Sequence, residues 1–210
     1  QFADSELGLA ELRQNNSSFK QLQERDYLLV VFHPVTTEFD RSAEAIETVL
    51  SAVESFAKPV VLIYPNRDAG ADNMVDVIMR RSRENGNYIL NRHLDFQDYL
   101  TLMVHCSAFI GNSSSGIRET GTFGIPTVNI GTRQHGRERN QNVRDVIVDR
   151  ELIIDAINGA FHMGRYPPQN IYGDGTSSKQ IVDILMALDE LEVQKTYFDI
   201  QSTLNHQLRS

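Results

Sequence analysis

The sequence predicts an α/β protein built on a doubly wound, mainly parallel, Rossmann-like sheet. Two continuous apolar runs, residues 27–32 (YLLVVF) and 59–64 (PVVLIY), have strand length and lack alternation, as expected when helices cover both faces of a sheet. Between and after them lie segments with apolar residues at helical spacing, such as Ile46, Val49, Leu50 and Val53. A third observation is the stretch 110–131, IGNSSSGIRETGTFGIPTVNIG, which reads as strand, polar loop, helix, strand. Repeated strand–helix alternation of this kind closes into right-handed crossovers and a parallel sheet.

Residues 1–26 are polar, with Leu7, Leu9, Leu12, Phe19 and Leu22 at partly helical spacing, and are expected to form a lead-in with one short helix ending near Arg25. A helix is expected over 40–56, capped by Asp40 or Ser42, and another over 74–83, with Asp68 and Asp72 as candidate caps. A short strand at 88–90, a helix at 96–104, strands at 108–110, 126–130 and 145–148, and helices at 151–162 and 177–188 complete the pattern. The sheet domain is therefore expected to run over 27–190 and to be succeeded by a polar, partly helical segment, 191–210, with no strand left to cover.

Composition narrows the function classes. The 210 residues are 40% hydrophobic and 23% charged, enough to bury a sizeable core. A net charge of -8 argues against nucleic acid or an anionic membrane as the main partner. The single cysteine, Cys106, excludes an internal disulfide and a cysteine-based zinc site, and the scattered histidines lack metal-ligand spacing. No stretch is long and apolar enough for a membrane span or signal peptide, so a cytoplasmic setting is expected, and the start at Gln1 fits a piece of a longer protein. No metal or cofactor is expected.

In an open parallel sheet, ligands bind beyond the carboxyl ends of the strands. The residues just past each apolar run are therefore candidates for a site: His33 after the first, Asn66 after the second, Asn112 to Gly116 after the fourth, and Arg133 after the fifth. Ser113 and Ser114 bring hydroxyls and backbone N–H groups to the mouth of the adjoining helix, where an anion such as a diphosphate is favoured, although either would also serve as a simple N-cap. Glu119 would repel that anion at close range and suits neutral partners such as ribose hydroxyls. His33 is a donor to phosphate whose titration is expected near neutrality, and Arg133 supplies a guanidinium for charge-assisted hydrogen bonds. Neither a P-loop signature nor G-x-G-x-x-G after a strand is present.

Five motifs, HPVTTE (33–38), YPNRDAG (64–70), GNSSSGIRE (111–119), GIPTVNIGTRQHGRE (124–138) and YGDG (172–175), together resemble the second domain of hydrolysing UDP-N-acetylglucosamine 2-epimerases. The likeness runs over about 27–191 and is nearest the sialic-acid branch that includes the epimerase half of the animal bifunctional epimerase/kinase. The resemblance implies the second domain of a glycosyltransferase B-type fold, with UDP or UDP-N-acetylglucosamine held by His33, Asn66, Ser113, Ser114, Glu119 and Arg133. It implies a reaction that turns UDP-N-acetylglucosamine and water into N-acetylmannosamine and UDP, with the catalytic carboxylates on a first domain outside this sequence. His33 is the one candidate here for a part in catalysis, and the chain alone is expected to be inactive. Segment 191–210 would cross back to that first domain, and family members associate as dimers or tetramers. A non-hydrolysing epimerase, a glycosyltransferase of the same architecture, and a non-catalytic nucleotide-binding module remain open alternatives.

Overall fold

The computed structural model describes residues 8–92 and 94–188. Six strands form one sheet: β1 (Leu28–Val31), β2 (Val60–Ile63), β3 (Tyr88–Asn91), β4 (Ala108–Gly111), β5 (Thr127–Ile130) and β6 (Val143–Val146). Their spatial order is β3-β2-β1-β4-β5-β6, and every pairing is parallel. Strand order reverses between β1 and β4, which opens a crevice where their carboxyl ends separate. The expected doubly wound sheet is observed.

The sheet is covered on both sides because successive side chains of a strand point to opposite faces. Leu28, Val30 and Phe32 pack with Ile46, Val49 and Leu50 of α2 (Ser42–Val53), Met74 and Ile78 of α3 (Ala71–Glu84), and Ile153 and Ile157 of α6 (Arg150–Met163). Leu29 and Val31 face the other way, onto Leu9 and Leu12 of α1 (Leu9–Asn15) and Leu100, Leu102 and Met103 of α4 (Phe96–His105). The fully buried Tyr27 ring belongs to this second layer and donates its hydroxyl to the Leu102 carbonyl at 2.6 Å.

Several local expectations are corrected. The lead-in helix stops at Asn15, because Asn16 turns extended (φ -133°) and its side chain accepts from the Ser18 N–H to start a 3-10 turn at Ser17–Phe19. Neither Asp40 nor Ser42 caps α2: a 3-10 stretch, Thr36–Arg41, feeds straight into it, and Ser42 is buried in its first turn. A small side chain is needed there because Gly70 packs against it, so closely that a Cβ on Gly70 would stand 2.6 Å from Ser42 Oγ. Asp68 and Asp72 do not cap α3, whose N-cap is Gly70 in the left-handed region at φ 89°. The last strand is Val143–Val146 rather than 145–148; it is an edge strand of mixed polarity, and the apolar pair Ile147 and Val148 lies beyond it, exposed.

A second compact unit begins at Gly173, and its one described helix, α7 (Ser177–Met186), leaves Ile181, Ile184 and Leu185 exposed. The expected crossing segment at 191–210 lies outside the described residues. No described helix is long and apolar enough to cross a membrane.

Gly111 sets the crevice. Its φ of 142° lies in a region disfavoured for side-chain-bearing residues, and a Cβ would stand 2.1 Å from the Val31 carbonyl oxygen. Gly111→Ala is therefore expected to lose about 3 kcal/mol of stability in urea unfolding; a loss under about 1 kcal/mol would mean that the two strand ends separate without strain.

Candidate functional site

The site is assembled from the segments that leave β1, β2, β4 and β5. Immediately after Gly111, Asn112 is only 1% exposed and reaches across the crevice to the chain leaving β1. Its Oδ1 accepts the His33 N–H at 2.7 Å and its Nδ2 donates to the His33 carbonyl at 2.8 Å. From the other side, the Asn112 carbonyl accepts Gln134 Nε2 at 2.8 Å and Arg133 Nη1 at 3.3 Å. Three strand ends are thus tied through one residue.

His33 is buried, and its ring Nδ1 accepts the backbone N–H of Asn66 at 3.1 Å. A backbone amide only donates, so Nδ1 is unprotonated and the neutral ring carries its proton on Nε2. Burial, reinforced by the neighbouring Arg133 cation and opposed by Asp68, lowers the His33 pKa from 6.5 to about 4. The expectation of titration near neutrality is therefore corrected: His33 is a neutral Nε2–H donor at physiological pH. The Asn66 side chain itself is exposed beside this contact.

Next along the chain is the serine loop. Ser113 is buried and its Oγ accepts the Ser115 N–H at a long 3.4 Å, while Ser114 has no side-chain cap bond. The helix expected here is a single α turn, α5 (Ser115–Arg118), passing into a 3-10 turn at Thr120–Phe123. Gly116 lets this turn lie on the sheet, since a Cβ there would stand 2.9 Å from the Phe109 ring. So short an element has little macrodipole; anion affinity at this loop rests on local N–H and hydroxyl donors. Tyr99 of α4 lies beneath the loop, its phenol pushed up by burial against the lowering effect of side-chain hydrogen bonds with Ser115 and Ser113.

Glu119 ends α5. Its Oε2 is buried and has no hydrogen-bond partner among the described residues. A buried carboxylate oxygen left without a donor carries an uncompensated desolvation cost. Arg133 lines a cleft of about 630 Å³ together with Thr36, Glu38, Asp68 and Thr132, and Thr132 donates to Glu38 at 2.7 Å to bridge the loops after β1 and β5.

Of the six predicted residues, the structure joins His33, Asn66 and Arg133 through hydrogen bonds to each other or to Asn112, with Ser113 as the next residue in the chain. Ser114 and Glu119 lie further along the same loop and make no hydrogen bond to the His33 group. Sequence pattern places Asn112 among the candidates past the fourth apolar run but gives it no role of its own, and it does not single out Gln134. A polar residue between a glycine and three serines reads as loop; the available signal is its position one residue beyond an apolar strand. Among the described residues no group of histidine, cysteine, aspartate and glutamate side chains could hold a metal ion.

A lowered histidine pKa has a definite consequence for stability. Between pH 6.5 and about 4 the unfolded chain binds a proton at His33 that the folded chain refuses, so stability is full above that window and falls as pH drops through it. His33→Asn is expected to flatten the pH dependence of the urea midpoint in that window. An unchanged slope would show that His33 titrates alike in both states.

Comparison with known proteins agrees with this architecture. The family model for UDP-N-acetylglucosamine 2-epimerase matches residues 4–186. The chain is 27% identical over 180 residues to the UDP-N-acetylglucosamine 2-epimerase of Neisseria meningitidis serogroup B, covering 83% of this chain and 47% of that protein. It is 27% identical over 189 residues to the hydrolysing UDP-N,N'-diacetylbacillosamine 2-epimerase of Legionella pneumophila, covering 86% and 50%. The chain thus spans about half the length of these curated relatives. Among solved structures, the Neisseria meningitidis UDP-GlcNAc 2-epimerase bound to UDP-GlcNAc superposes with a TM-score of 0.67 at 18% identity, over 84% of this chain and 49% of that one. At that identity the likeness speaks for the fold, that of one half of a glycosyltransferase B-type protein. With the family match extending over most of its residues, the chain belongs to the UDP-N-acetylglucosamine 2-epimerase family.

Proposed function

We propose that this chain is the nucleotide-binding half of a hydrolysing UDP-N-acetylglucosamine 2-epimerase, which makes N-acetylmannosamine and UDP for sialic-acid-type sugar biosynthesis in a cytoplasmic setting. The observation that carries the nucleotide reading is the buried, unpartnered Glu119 Oε2 on the same loop as Ser113 and Ser114. An acceptor facing a diol, next to donors facing a diphosphate, matches a nucleoside diphosphate from base side to phosphate side. The hydrolysing assignment is supported by the Legionella relative and by a second one, the GDP/UDP-N,N'-diacetylbacillosamine 2-epimerase (hydrolyzing) of Campylobacter jejuni, 34% identical over 125 residues.

The chemistry assigns each group a task. Loss of UDP from C1 of the sugar, coupled to removal of the C2 proton, places charge on the departing diphosphate. Ser113 and Ser114 take its oxygens through hydroxyl and N–H donors, Arg133 adds a fixed positive charge, and His33 donates through Nε2–H. Donors fixed in place before the charge develops are more effective than mobile water. Because His33 stays neutral, it donates without adding a proton equilibrium at working pH. Asn66 fixes the ring from behind through its N–H. Glu119 accepts from the ribose hydroxyls. The base that removes the C2 proton and the sugar contacts belong to the other half of the parent protein, and the parent assembles as a homo-oligomer.

In calorimetric titrations UDP is expected to bind the wild-type chain, to bind Ser113→Ala/Ser114→Ala about tenfold or more weakly, and to lose about tenfold in Glu119→Ala. The Glu119 loss should vanish when 2′,3′-dideoxy-UDP replaces UDP. A loss that persists with the dideoxy nucleotide would remove the ribose assignment. The chain alone is expected to release no N-acetylmannosamine from UDP-N-acetylglucosamine, and measurable release would contradict the division of labour between the halves.

A further inference from the structure

The side chain of Asn112 has no task among the proposed nucleotide contacts, yet it is buried and both its oxygen and its nitrogen are hydrogen-bonded within the protein. Both of its hydrogen bonds go to the backbone of one residue, His33, at 2.7 and 2.8 Å. A primary amide offers C=O and N–H side by side, as a peptide unit does, so the carboxamide continues the β1–β4 ladder one step past the point where Gly111 ends it. The neighbouring backbone bond, Asn112 N–H to the Val31 carbonyl at 3.2 Å, holds the residue close enough for this. His33 then has its backbone fixed by Asn112 and its ring fixed by the Asn66 N–H, two constraints from two different strand ends.

We propose that Asn112 is a positioning residue: its carboxamide fixes the backbone of His33 so that the imidazole meets the Asn66 N–H through Nδ1 and presents Nε2–H to the leaving diphosphate. The link to the diphosphate rests on the proposed function; the hold on the imidazole does not. Other side chains fail for identifiable reasons. Aspartate has the shape but no donor, so an oxygen would face the His33 carbonyl oxygen, and its charge would favour a protonated imidazole. Alanine or leucine would leave a buried N–H and C=O of His33 without partners.

The test uses the full chain with Asn112→Asp, Asn112→Ala, His33→Ala and the double variant Asn112→Ala/His33→Ala. Nitrogen-15 spectra of the His33 ring without ligand are expected to show one neutral Nε2–H tautomer in the wild type, and mixed tautomers or a protonated ring in Asn112→Asp, with the titration midpoint raised from about 4 toward the ordinary histidine value. With UDP as the probe, each single variant should bind about tenfold more weakly, and the double variant no more weakly than His33→Ala. Additive losses, or an unchanged ring spectrum in a folded Asn112→Asp, would overturn the proposal. Failure of the wild type to bind UDP would defeat the nucleotide reading while leaving the ring spectra to decide the role of Asn112. Should the Asn112 variants not fold, hydrogen exchange in the wild type decides: an amide clamped at His33 exchanges with the slowest protons of the sheet, and rapid exchange there would overturn the proposal.

Discussion

Two backbones meet at the ends of β1 and β4 more closely than any side chain would allow, and the candidate site depends on that approach. Gly111 supplies it, with its positive φ and no Cβ against the Val31 carbonyl. Because Gly111 lets the chain close in, Asn112 arrives within hydrogen-bonding distance of His33, and its carbonyl is left to collect Gln134 and Arg133 from the loop after β5. The reversal of strand order between β1 and β4 would otherwise be an open gap; here it is a gap spanned by hydrogen bonds. Ligand chemistry at a switch point needs donors that stay in place, and these donors hang from strands buried on both faces.

The electrostatics are local. A chain of net charge -8 offers no general attraction to a polyanion, so any diphosphate has to be held by groups arranged for it. The serine loop supplies neutral donors, Arg133 supplies a charge, and His33 is kept neutral chiefly by burial and secondarily by that same Arg133. The Glu119 oxygen is the contrasting feature, a buried acceptor with no hydrogen-bond partner among the described residues. In the proposed reading, donors for one end of a nucleoside diphosphate and an acceptor for the other give the site a direction along the loop from Ser113 to Glu119.

Much of this is legible in the residues, and the remainder is hidden for physical reasons. Central strands such as YLLVVF declare themselves because both faces are buried, and the site residues just past them come from the carboxyl-edge rule. The edge strand β6 is displaced by two residues from its expected place because VRDV is partly solvent-facing and the adjacent Ile147 and Val148 imitate a core run while lying exposed. Helix starts differ from expectation because Gly70, left-handed and without a side chain, takes the place of an aspartate cap, and Ser42 is used for its small size. The protonation of His33 is set by its surroundings in three dimensions, which no local pattern encodes. The part played by the Asn112 side chain is hidden for the same reason: its partners lie 79 residues away in the chain.

The central claim is that a nucleoside diphosphate sits across the carboxyl ends of β1, β4 and β5, and amide chemical-shift mapping of the chain with UDP tests it most directly. Saturable shifts are expected to concentrate at His33, Asn66, Ser113, Ser114, Glu119 and Arg133, and to leave the opposite edge of the sheet around Lys58 and Ser107 unmoved. Shifts centred on that opposite edge, or scattered without saturation, would contradict it.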